Sequence, residues 1–153
     1  MSLPITFREA VTTDLPQLLA LLSDDAIAKQ RPRREDRTKP AFAEILRDPN
    51  IVMLVAEAPH GAGLMIIACC QLTYTPHLTY DGGTRATIEG VRVDAARRGS
   101  GAGKALITEA IRLATERGCH MVQLTTDKRR PDAIRFYESL GFIASHEGMK
   151  LHL

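Results

Sequence analysis

Apolar residues recur along the chain with two different periods, and the switches between them mark its elements. Ile5-Thr6-Phe7-Arg8 alternates apolar with polar and predicts a strand; Thr12-Thr13-Asp14 then offers a helix cap before Leu15, Leu18, Leu19 and Leu22 at helical spacing. Asp24 to Thr38 is charged and irregular, and Ala41 to Arg47 predicts a short second helix stopped at Asp48-Pro49-Asn50. Ile51 to Ala58 reads as a strand, His60 to Gly63 as a turn, and Leu64 to Tyr74 as a long apolar strand, so these two pair antiparallel. Thr75 to Arg85, with Pro76 and Asp81-Gly82-Gly83, interrupts the pattern before Ala86 to Val93 resumes it as a strand. Ile88, Val91 and Val93 do not share one parity, which a bulge near Gly90 would explain.

A third helix opens inside a glycine loop. Its core face is Leu106, Ile107, Ala110, Ile111, Leu113 and Ala114, its polar face Thr108, Glu109, Arg112 and Arg117, and Gly118 supplies a left-handed stop. Met121 to Thr126 follows as a short buried strand and Asp132 to Leu140 as a fourth helix, after which Gly141-Phe142 reopens an extended segment to the C-terminus. With no internal repeat, residues 1–153 read as one mixed α/β domain.

Composition narrows the function classes. Basic residues number 20 and acidic ones 18, a balance that favours neither nucleic acid nor a membrane surface as a partner. The N-terminus has no charged start with an apolar run behind it, and no stretch approaches the ~20 apolar residues of a membrane span. The three cysteines, Cys69, Cys70 and Cys119, are odd in number and lack Cys-x-x-Cys spacing, which argues against disulfides and against a metal site and suits a reducing cytoplasm. Adjacent in an apolar run, Cys69 and Cys70 read as small buried hydrophobes rather than nucleophiles.

The chemistry concentrates between Val93 and Gly103, where a strand passes through Arg97, Arg98 and three alternating glycines straight into an amphipathic helix. Glycines let the backbone approach an anion closely, and the helix start adds about half a positive elementary charge, so a diphosphate is the expected guest. Rival phosphate motifs fail. Where a P-loop requires its first glycine stands Arg98, and Ala105 follows Lys104 in place of Ser or Thr. A dinucleotide fingerprint, and with it an oxidoreductase, needs a third Gly or Ala where this chain has Lys104 or Leu106, depending on which pair opens the count.

Arg98, Gly101 and Gly103 fill the acetyl-coenzyme A signature of the GCN5-related N-acetyltransferase superfamily, and the strand, loop and helix around them, Val91 to Leu106, resemble that superfamily together. A second match lies further on, where Asp132 to Phe142 is similar to the later motif that ends in Phe-Tyr and Gly-Phe. The order of elements follows the same plan. The resemblance implies a mixed, mostly antiparallel sheet of about six to seven strands flanked by about four helices, acetyl-coenzyme A as cosubstrate, and direct transfer of an acetyl group to a primary amine. A homodimer is common among similar proteins.

The resemblance also distributes roles. Main-chain groups of Val91, Arg92 and Val93 would contact the acetyl and pantetheine, Arg98, Gly99, Ser100, Gly101, Ala102, Gly103 and Lys104 the diphosphate, and Asp132 and Tyr137 the cofactor from the later motif. Tyr137 corresponds to the usual general acid for the departing thiolate. Glu89, in mid-strand where burial would raise its pKa, is the candidate base and acceptor contact, acting directly or through water. Arg31 and Arg34, with Arg33 and Arg37, lie in the stretch that borders the acceptor pocket by resemblance; a solvated loop is the plainer account of them. His77 and Tyr80 are weaker acceptor candidates, since an isolated loop histidine is usually just exposed. A protein N-terminus or lysine as acceptor, or an acetyl-coenzyme A sensor without turnover, stand as alternatives.

Overall fold

The computed structural model describes residues 4–24 and 35–153. It divides into two compact units, Met1–Gln123 and Leu124–Leu153. The first holds a sheet with strands in chain order: β1 (Thr6–Glu9), β2 (Ile51–His60), β3 (Gly63–Pro76), β4 (Thr84–Val93) and β5 (Met121–Leu124), whose last residue opens the second unit. The first three junctions are antiparallel, β2 and β3 through the tight turn at Gly61 that the sequence predicts. At the last, His120 N–H donates to the Thr84 carbonyl at 3.0 Å and Gln123 bonds Thr87, so partner numbers rise together along both strands. That is the sense a crossover through a helix requires.

Helices cover both faces. α1 (Leu15–Ser23) and α2 (Glu35–Arg47) place Leu18, Leu21 and Phe42 in one buried cluster with Ala10, Val55, Ile66 and Cys69. Alternation along the strands turns Leu54, Cys70, Leu72 and Ile88 to the opposite face, where α3 (Ala102–Glu116) packs with Leu106, Ile107, Ala110 and Ala114 fully buried. Each buried Leu or Ile contributes about 2 kcal/mol of transfer free energy, which makes these two layers the main stabilising term. α4 (Pro131–Ser139) belongs to the second unit.

Three expectations need correction. The sheet has five strands among the described residues rather than six to seven, because nothing after Leu124 pairs as a strand. Ile143, Met149, Leu151 and Leu153 are exposed: an extended pattern without a hydrogen-bonded neighbour is not yet a strand. α2 begins at Glu35, six residues before the predicted start, and runs through Pro40. Proline removes one helical hydrogen bond, but Phe42 anchors the helix in the core on its far side. β3 and β4 also extend further toward their shared hairpin than the apolar run alone indicates.

A cluster of charges fixes the first strand. Arg8 grips Asp14 through both terminal nitrogens, at 2.6 and 3.0 Å, and reaches Glu57 of β2 at 2.7 Å. Asp14, 5% exposed, also accepts the Val11 N–H at 2.7 Å. The hydrogen bond from Arg8 is the largest cause holding the Asp14 carboxyl below its ordinary 3.8. A depressed folded-state value contributes stability that is fully present above the unfolded value and is lost as pH falls through the folded one. Arg8→Ala is expected to cost about 2 kcal/mol, because it strands a buried carboxylate whose partner was itself partly exposed. In thermal melts this should lower Tm by roughly 6 °C at pH 7, with the difference from wild type shrinking below about pH 4. An equal difference at pH 3 would remove the ion pair from the account.

Candidate functional site

β4 carries one residue more than its partner. Cys69 pairs with Arg92 and Gln71 with Glu89, so two steps on β3 match three on β4, and the surplus falls at Gly90, whose φ is +60°. This is the bulge that the parity of Ile88, Val91 and Val93 called for, and glycine meets its left-handed conformation without strain. The extra residue returns Val91 and Val93 to the face of Ile88 and leaves Glu89 and Arg92 on the other. β5 starts level with Thr84 and ends at Leu124, about level with Ile88. On that side the main chain from Glu89 to Val93 therefore has no strand partner among the described residues.

The same strand delivers a helix start. After Val93 the Asp94 carboxylate caps a single turn of 3-10 helix by accepting the Ala96 N–H at 2.9 Å. Ser100 closes the loop with its N–H and hydroxyl on the Arg97 carbonyl, at 3.2 and 2.6 Å. Gly99 and Gly101 both adopt positive φ, and Gly101 at +89° is the residue from which α3 begins. Ala105 N–H returns to the Gly101 carbonyl, so the first-turn amides of Ala102, Gly103 and Lys104 have no helical acceptor. Three amides, the positive end of a 15-residue helix and the exposed side chain of Lys104 make an anion-binding corner.

Arg98 is tied to the residue that ends α1. Its Nη2 donates to the Asp24 carbonyl at 3.1 Å and stands 3.6 Å from the Asp24 carboxylate, with both side chains about half exposed. Next to it a cavity of about 290 Å³ is lined by Gln17, Leu21, Asp24, Met65 and Asp94. Sequence reading missed Asp24, because a pairing across 74 residues leaves no local signal.

Glu89 is exposed, so the burial expected for it is absent. Its register partner is Gln71, and Thr87 and Arg85 follow on the same face of β4. His77 and Tyr80 sit in the hairpin at the other end of β4, about 30 Å from the glycine loop along the ten-residue strand. There Tyr80, at φ +57°, stacks on His120 at 5.0 Å. The structure does not bring these two to the glycine loop. Arg31 and Arg34 lie outside the described residues, while Arg37 is exposed on α2.

In the second unit, Tyr137 is half-buried on α4, edge-on to Phe136 at 5.1 Å and to Phe142 at 5.8 Å. Its carbonyl accepts the Leu140 and Phe142 N–H groups that end the helix. Asp132 is 92% exposed in its side chain and paired to Arg135 one turn on. The buried thiols offer no nucleophile: desolvation pushes Cys69 up to about 11 and Cys70 up to about 12. Among the described residues no group of three His, Cys, Asp or Glu side chains could hold a metal ion, and no helix is long and apolar enough to cross a membrane.

Known proteins resemble this chain in sequence and fold. The family model for the acetyltransferase (GNAT) family matches residues 15–142. Glucosamine 6-phosphate N-acetyltransferase of Trypanosoma brucei brucei is 36% identical over 113 residues, 73% of either chain. A Bacillus halodurans C-125 structure described as a transcriptional regulator superposes with TM-score 0.89 at 50% identity, covering 98% of this chain and 100% of its own. A Trypanosoma brucei acetyltransferase structure gives 0.79 at 31% identity, with 98% and 100% covered.

The anion corner depends on Gly101, where a side chain would meet no neighbour but would have to hold φ +89°. Gly101→Ala is expected to cost about 1 kcal/mol locally and to weaken coenzyme A binding by roughly tenfold as the loop shifts. Isothermal calorimetry checks this, and an unchanged Kd would show that the loop amides are not the ligand's contacts.

Proposed function

The chain belongs to the acetyltransferase (GNAT) family, and from that premise we propose that it binds acetyl-coenzyme A along β4 and the start of α3 and acetylates the primary amine of a small molecule by direct attack. That it transfers acetyl groups to an amine is given by the family and its relatives; the assignment of residues is our reading. The observation that carries it is the path from the bulge at Gly90, along the edge of β4 that β5 does not reach, to the first-turn amides of α3. An extended pantetheine needs the first and a diphosphate the second.

The amine nitrogen attacks the thioester carbonyl carbon, and the carbon–nitrogen bond forms as the carbon–sulfur bond breaks. Glu89 takes the amine proton through a water molecule, which its exposure supports. A main-chain amide of the Val91 to Val93 stretch opposes the charge that develops on the carbonyl oxygen. Tyr137 gives its phenolic proton to the leaving thiolate and recovers one from solvent, so the products are the amide and free coenzyme A. Protonated, buried Cys69 and Cys70 support the absence of an acyl-enzyme, and free thiols suit a reducing cytoplasm. Arg98 exchanges its bond to Asp24 for a phosphate oxygen.

The relative that acts on glucosamine 6-phosphate makes amino sugars the first acceptors to assay. A second reading, an acetyl-coenzyme A-binding regulator without turnover, is favoured by the description of the half-identical Bacillus halodurans protein. Thiol release with a panel of amines separates the two. Tyr137→Phe is expected to lower kcat about a hundredfold with little change in the KM for acetyl-coenzyme A, and Glu89→Gln to lower it comparably near neutral pH. Full turnover in Tyr137→Phe would end its role as the acid; binding of acetyl-coenzyme A without thiol release from any amine would favour the regulator.

A further inference from the structure

β3 and β4 present unlike faces. Leu72, Tyr74, Ala86 and Ile88 are buried on one. On the other, three polar rungs cross the ladder: Gln71 opposite Glu89, Thr73 opposite Thr87 and Thr75 opposite Arg85. Gln123 of β5 ties the lower rungs together, accepting from Arg85 Nη1 at 3.1 Å and donating to Thr87 Oγ1 at 3.1 Å. Gln71 donates to Thr73 at 3.4 Å. α1 and α2 lie on this face over β2, β3 and the end of β4 near Gly90, where Leu22 approaches, and the rungs beyond stay half-buried or exposed.

Arg85 is the unexplained member of the strip. Its guanidinium is half-buried, its Nε is shielded from water without a hydrogen-bond partner, and no carboxylate lies within ion-pairing reach among the described residues. A cation withdrawn from water is costly unless an anion or several acceptors compensate, and a single amide oxygen compensates little. Glu89 stands on the same face four residues away, about 13 Å between α-carbons, so one acceptor could span both charges.

Resting on the reading of Glu89 as the group beside the reacting amine, we propose that Arg85 is a specificity-determining residue that binds an anionic group, phosphate or carboxylate, carried by the acceptor several bonds from its amine. Thr87, Gln123 and Gln71 line the interval with donors and acceptors suited to hydroxyl groups. A guanidinium takes either anion through paired N–H donors. An α-amino acid, whose amine and carboxylate share one carbon, is too short to reach both ends.

The test uses matched acceptors: glucosamine against glucosamine 6-phosphate for a phosphate, and 6-aminohexanoate against its primary amide for a carboxylate. Wild-type protein is expected to favour the anionic member of at least one pair by tenfold or more in kcat/KM, through KM. Arg85→Gln should bring that ratio to about one, and Arg85→Lys should keep part of it. Equal ratios in wild type for both pairs, or a preference that survives Arg85→Gln, would overturn the proposal while leaving acetyl transfer intact. Should no amine release thiol, the transfer reading fails separately, and calorimetric titration of the coenzyme A-bound protein with glucosamine 6-phosphate and with 6-aminohexanoate decides: binding lost in Arg85→Gln sustains the anion site, and no binding or equal binding rejects it. Melting curves control for folding; if Arg85→Gln melts far below wild type, Arg85→Lys carries the comparison.

Discussion

One residue too many in β4 sets the geometry of everything around it. Antiparallel partners must stay in step, and a strand that fits three residues against two has to push one out. Gly90 absorbs the surplus in the left-handed region, where any other residue would be strained. Two consequences follow from that single accommodation. The apolar positions before and after it, Ile88 and then Val91 and Val93, share a face despite their sequence parity. The ladder is also disturbed at the point where β5 runs out, so on that side the strand's second half has no strand neighbour among the described residues.

The sheet solves two problems with its two faces. Under α3 its buried residues are apolar, and on the other side an apolar cluster lies beneath α1 and α2. Where those helices end, side chains of the same strands become Gln, Thr, Glu and Arg without any change in backbone register. A polar strip on a central strand gives no packing free energy. Its hydrogen bonds among Arg85, Gln123 and Thr87 order it nonetheless, and order in a polar surface is what recognition of a polar molecule requires.

Charge is placed by the same economy. The Arg8, Asp14 and Glu57 cluster is closed on itself and holds β1 to β2. Around the glycine loop the bias is positive: a helix start, Lys104 and an Arg98 paired with a half-exposed acid. The closed cluster resists exchange, whereas the Arg98 pair at 3.6 Å gives little by surface ion-pair standards and yields readily to a more highly charged guest.

The sequence by itself determined the elements whose cause is local. The glycine loop running into α3, the long paired strands β2 and β3, the core face of α3 and the parity break at Gly90 were all legible, because periodicity and glycine act within a few residues. So was the superfamily, from Arg98, Gly101, Gly103 and the Phe136-Tyr137 motif, which the comparisons establish independently. Tertiary structure alone decided the rest. It ended the sheet at five strands among the described residues, since a strand exists only where a neighbour accepts its hydrogen bonds. It carried α2 through Pro40 on the strength of Phe42 in the core, and it put His77 and Tyr80 at the far end of β4. It also joined Arg98 to Asp24 and gathered Gln71, Arg85 and Gln123 on one face: such contacts depend on register and crossover between distant segments, and no local pattern of residues encodes them.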